Sequence, residues 1–271
     1  MNSPLVEAFG YLALGLPTDS VLAGTYVPPP GADIYAAKWL AKLKMDPAVR
    51  AAPPMRVVFS VAGHVQGWRK VREFTTLGPS GFTLSHFIAG TFDPAIASFD
   101  ATTANIPYAT GCSSLWWQTG TDVMIPKSVA SLWVDKLRTL LLLDPEFNQN
   151  NKLLGRSVMV HAEHHNQMPA EQYGSRKKHR AIEAALKKVL THRIWHQKRH
   201  PGALCSNDAK SCYNRVVHSS AILSMLCLGC PWGPLISIFA TLQKMNHFIG
   251  SAFGVSSTSF KGSEVPLQGL G

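Results

Sequence analysis

Three observations predict an α+β fold, helix-rich with a small and incomplete antiparallel sheet. Helical and strand-like segments alternate without a regular strand–helix–strand period. No internal repeat organises them. With 271 residues and 46% hydrophobic content, the chain is long and apolar enough to bury a substantial core.

Residues 1–76 are Ala/Pro/Gly-rich, with PPPG at 28–31 and APP at 52–54. They predict a poorly defined, linker-like lead-in with one short helix around Asp33–Leu43. MRVVFSVAG, 55–63, is expected to form a short strand. LGPSGFTLSHF, 77–87, reads as a glycine-rich turn, and a helix is expected from Pro94 to Asn105. VMIPK, 123–127, reads as a strand end, and LRTLLLL, 137–143, as a second, largely buried strand. A helix should start at Asp144 or Pro145 and carry FNQNNKLLGRSVMVHAEHH.

The clearest helix lies in HRAIEAALKKVLTHRIW. There Ile182, Leu186, Val189 and Leu190 recur at helical spacing, with Lys187 and Lys188 off the stripe. Gly202 ends that element, ALCSN (203–207) predicts a brief strand, and a helix is expected from about Ser211 to Leu228. Ser219 to Gln243 is free of charge, yet Gly229, Pro231, Gly233 and Pro234 divide it. Each piece of about ten residues is too short to cross a bilayer core of about 30 Å, so two buried helices joined by GCPWGP are expected. No stable membrane association is expected.

Charge is unevenly placed. Residues 1–150 hold 11 basic and 11 acidic residues, whereas 151–271 hold 15 basic and 5 acidic, which accounts for the whole net charge of +10. A concentrated positive field suits a polyanionic partner, nucleic acid above all. The five cysteines are odd in number, and the first 37 residues contain no Lys or Arg. Reduced thiols and an intracellular chain, in nucleus or cytoplasm, are expected.

Several segments bear chemistry. In CSNDAKSCYNRVVH, 205–218, Asp208 follows an apolar run and Tyr213 lies five residues on. An aspartate before a helix is read either as an N-cap or as a metal ligand. His192, His196 and His200 fall at i, i+4 and i+8, a zinc face or a basic face meeting phosphates. HAEHH (161–165) lacks the His-Glu-x-x-His order, and CLGC (227–230) has no second cysteine pair. Both lack what a zinc site needs, and CLGC is assigned to core packing, as are Trp116 and Trp117. No P-loop or nucleophile-elbow motif occurs.

Taken in order, several motifs resemble the reverse transcriptases of non-LTR retroelements. IPK followed by LRTLLLL resembles the family's finger strands, and NQNNKLLGR its next helix. EQYGSRKKHRAIEAAL resembles its Gln-x-Gly turn, with Gln172, Gly174 and Arg176 in register. NDAKSCYNRV resembles its metal motif, LCLGCPWGPL the helix pair that follows, and VPLQGLG the opening of its Gln-Gly motif. The resemblance implies a right-hand polymerase fold, with fingers over 77–200 and a partial palm over 201–271. It implies template-directed DNA synthesis on an RNA template and DNA primer from deoxynucleotides, with Mg²⁺. Asp208 would be the catalytic metal ligand and Tyr213 the sugar gate. Arg138 and Lys127 would meet the incoming nucleotide, and Arg176, Lys177, Lys178 and Arg180 the nucleic-acid backbone.

The departures are specific. Asn214 stands where the family has a second acid, and the sequence contains no Asp-Asp pair. Two-metal transfer needs several carboxylates, so a fragment truncated before the family's Tyr-x-Asp-Asp hairpin and inactive by itself is expected. The alternative expectation is a non-catalytic RNA- or DNA-binding protein.

Overall fold

The computed structural model describes residues 9, 12–71, 78, 80–127, 133, 137–174, 176–202, 216–251 and 254–261. The expected strand over 203–207 and the start of the expected helix at Ser211 lie outside them. Helices and a small sheet make up the described residues, in agreement with the α+β expectation.

The N-terminal part is more structured than its composition predicts. It forms α1 (Leu16–Ala23), α2 (Ile34–Lys42), α3 (Pro47–Ala51) and α4 (Val61–Arg69). The Asp33 carboxylate caps α2 by accepting from the amides of Tyr35 and Ala36. Val21, Leu22, Leu40 and Leu43 are buried in the main core, so this segment is part of the fold.

The strand expected over 55–63 does not form. Met55, Val57 and Phe59 are buried, while Arg56 and Val58 are exposed, which is the alternation the sequence shows. Among the described residues, no strand pairs with them. The Phe59 amide instead donates to Asn105 Oδ1 at 2.8 Å, and Asn105 Nδ2 donates back to the Phe59 carbonyl at 2.9 Å. One side-chain amide satisfies the backbone that a neighbouring strand would have paired. Ser60 then accepts from the Gly63 amide and starts α4.

Next come α5 (Leu84–Gly90) and α6 (Pro94–Thr110), the latter capped by Asp93 with Pro94 in its first turn. A 3₁₀ turn (Leu115–Gln118) leads into β1 (Thr119–Pro126), followed by β2 (Leu137–Leu142). The long α7 (Pro145–His164) begins as expected, with Asp144 Oδ1 accepting from the Glu146 amide. After it come α8 (Ala181–Gln197), α9 (His218–Cys227), α10 (Trp232–Lys244), β3 (Asn246–Ser251), β4 (Gly254–Val255) and β5 (Phe260–Lys261). The chain turns between α9 and α10 at GCPW, as the Gly/Pro cluster predicts. No described helix is long and apolar enough to cross a membrane.

The sheet is mixed, not antiparallel as expected. Its order is β2-β1-β3-β4, with β5 also on β3. β1 pairs antiparallel with β2 and parallel with β3. The parallel pairing arises because the chain passes through four helices between β2 and β3, a crossover connection rather than a hairpin. β2 is also not the buried strand expected. It occupies the sheet edge, and Leu140 and Leu141 are exposed.

One core unites α1, α2, α6, α7, α9 and α10, with Leu154, Ile222, Leu223 and Leu235 essentially inaccessible. The last helix crosses α6 at Gly233, where a Cβ would come within 2.1 Å of the Tyr108 carbonyl oxygen. A smaller cluster of Trp117, Phe147 and Met245 ties these helices to the sheet.

Candidate nucleic-acid interface

Lys127 and Arg138 are brought together by the β1–β2 hairpin. Arg138 is paired in register with Ile125, and Lys127 follows two residues later, one past the end of β1. Both are exposed, and neither has an ion pair among the described residues. They place two cations at the end of the strand pair where β1 leads into β2.

The predicted basic turn divides into two kinds of residue. The Arg176 guanidinium is engaged internally: Nε donates to Glu163 Oε1 at 3.0 Å, and Nη1 donates to the Pro169 and Gln172 carbonyls at 3.0 and 3.2 Å. It fastens the turn to the end of α7. Lys177, Lys178 and Arg180 are exposed. Lys178 has a φ of 66°, the left-handed region that costs a non-glycine residue about 1–2 kcal/mol. Arg180 precedes α8, and its amide donates to Glu163's counterpart in this helix, Glu183, at 3.2 Å.

Asp208 and Tyr213 lie outside the described residues. Among those described, no three His, Cys, Asp or Glu side chains are grouped to hold a metal ion. Asp208 is the one ligand that the sequence names.

The histidine face predicted over 192–200 is cut short. The helix ends at Gln197, and Arg199 takes a φ of 50° before Pro201, so His200 leaves the face that His192 and His196 share. In CLGC, Cys227 Sγ donates to the Lys44 carbonyl, and Cys230 is buried, its thiol pushed up to about 12 by burial. Such thiols pack; they do not ionise near neutrality. Trp117 is buried against Phe147, whereas Trp116 projects outward, 67% exposed.

Sequence reasoning missed Asp122 and His247. The Asp122 carboxylate is buried at the centre of the sheet and meets His247 Nδ1 at 3.0 Å, while the imidazole stacks on Phe260 with centroids 5.2 Å apart. The partners are 125 residues apart and meet through the parallel β1–β3 register. No local sequence signal joins them.

No protein-family model and no curated protein sequence matches the chain.

Proposed function

We propose that this chain is a reverse-transcriptase-like polypeptide that binds template–primer nucleic acid and does not extend a primer by itself. The observation that supports it best is the hairpin end, where Lys127 and Arg138 lie exposed and without ion pairs among the described residues. Exposed cations on paired strands suit phosphate oxygens, and a guanidinium takes two at once. Lys177, Lys178 and Arg180 add an exposed basic turn for the phosphodiester backbone. Magnesium, when bound, would activate the primer hydroxyl and neutralise the triphosphate. Asp208 would be its ligand, and Tyr213 would lie under the sugar. With Asn214 in place of the second acid and no Asp-Asp pair in the sequence, this chain has too few carboxylates in that motif for two ions.

Two measurements test this reading. A labelled RNA–DNA template–primer should bind in a salt-dependent manner, with affinity lowered by Arg138→Gln and by Lys177→Gln with Lys178→Gln. Absence of salt-sensitive binding would overturn the nucleic-acid reading. Primer extension should be undetectable. Magnesium-dependent extension that Asp208→Ala abolishes would show that the chain is a polymerase in its own right.

A further inference from the structure

A second basic surface lies between the 53–70 segment and α7, and takes in Lys152 and Arg156 of the NQNNKLLGR motif. Two adjoining cavities of about 510 and 210 Å³ open there and share Arg156. The first is lined by Arg56, Arg156, His161 and His164, the second by Lys70, Lys152 and Arg156. Among the described residues, no aspartate or glutamate lines either one. On α7, Lys152, Arg156, Val160 and His164 recur every fourth residue, so they occupy one face. That face runs about 18 Å along the helix axis.

The groove cations Arg56, Lys70, Lys152 and Arg156 form no ion pair among the described residues. Several other guanidinium groups are tied into the fold. Arg50 donates to the Leu22 carbonyl, Arg69 to Thr91, and Arg176 to Glu163. Gly63 and Gly67, one turn apart on α4, line the smaller cavity, and a Cβ at Gly67 would meet Gln149 Nε2 at 2.1 Å, so α4 and α7 approach closely at that wall.

We propose that this groove holds the phosphodiester backbone of a single nucleic-acid strand, over two or three nucleotides. The inference rests on the nucleic-acid reading above and assigns it a second site, separate in sequence from the basic turn. The two cavities adjoin through Arg156 along the α7 face, an elongated basic track that suits a single strand lying along it. Exposed Val58 and Val160 offer apolar surface between the cations, against which bases can lie.

The experiment measures binding of a labelled single-stranded RNA twelve-mer to the full chain by fluorescence anisotropy across a salt series. Lys152→Gln with Arg156→Gln should weaken binding about tenfold or more and flatten the log–log salt slope by about 1.4, two contacts at about 0.7 each. Lys38→Gln with Lys42→Gln on α2 removes the same charge away from the groove and should change affinity less than about twofold. Both groove positions are exposed, so an unchanged thermal midpoint checks the fold. If that pair does unfold the chain, Arg56→Gln with Lys70→Gln tests the opposite wall. Equal losses in the groove and α2 variants would overturn the groove while leaving the broader reading intact. No binding by the unaltered chain would overturn both. A duplex of the same length competing as well as the single strand would overturn the single-strand assignment.

Discussion

The helices α7 and α8 are close in length and adjacent in sequence, and both announce themselves by apolar residues at helical spacing. Their fates differ. α7 buries Phe147, Asn150, Leu154, Val158 and Ala162, with Leu154 and Val158 in the main core and Phe147 in the smaller cluster. α8 buries nothing: Ile182, Leu186, Val189 and Leu190 all stand in solvent, the first 69% exposed. Periodicity identifies a helix, but burial depends on whether another apolar surface lies opposite. α8 also carries Arg193 near the middle of its stripe, a charge that disfavours deep burial. The helix is anchored through its approach, where Arg176 holds the turn to Glu163 of α7.

Leucine truncation gives the sharpest contrast. Leu154→Ala on α7 should lower unfolding free energy by about 2–5 kcal/mol, measured by urea titration. Leu186→Ala on α8 should change it by less than about 0.5 kcal/mol. Equal losses would mean that the α8 stripe is covered in solution and would break the contrast.

A smaller effect is expected at the tether. Arg176→Gln should cost about 1 kcal/mol, since its carboxylate partner is partly screened by solvent. Hydrogen exchange should show the loss in the turn over 169–180 and in α8, with α7 protection preserved. Loss spread evenly over both helices would show that they unfold as one unit.

The smallest effect concerns pH. Burial raises the Glu146 carboxyl above its ordinary 4.5, the nearby Asp144 and Asp100 charges add to this, and the Trp117 hydrogen bond opposes it. The folded state therefore favours the neutral acid. Stability from this group is fully present below pH 4.5 and declines as pH rises through the higher folded value. Glu146→Gln should consequently stabilise the chain at pH 7 and make no difference near pH 4, as followed by thermal melting. The opposite sign would place Glu146 in a more polar setting at the start of α7.

Much of the local structure was legible. Asp93–Pro94 and Asp144–Pro145 mark the starts of α6 and α7 because a carboxylate cap and a proline act within one turn. VMIPK and LRTLLLL marked the strands β1 and β2, though not their pairing or the exposure of β2, and the Gly/Pro cluster at 229–234 divided α9 from α10. The segment 55–63 was misread for a physical reason. Its alternating burial is real, but its backbone partner is Asn105, 46 residues away from Phe59. For the candidate site, Lys127 and Arg138 could be named from sequence. That Arg176 is engaged with Glu163, while Arg156 has no ion pair among the described residues, could not.

The sequence alone determined where helices begin, which half of the chain carries the net charge, and which residues resemble a polymerase motif. Each of these is a local or compositional property. Tertiary structure alone decided the parallel pairing of β1 with β3, the meeting of Asp122 with His247, and the exposure of the α8 stripe. It also decided which cations face a groove and which bind the fold together. Caps, turns and periodicity act over a few residues, whereas pairing and burial depend on partners that the chain brings from more than a hundred positions away.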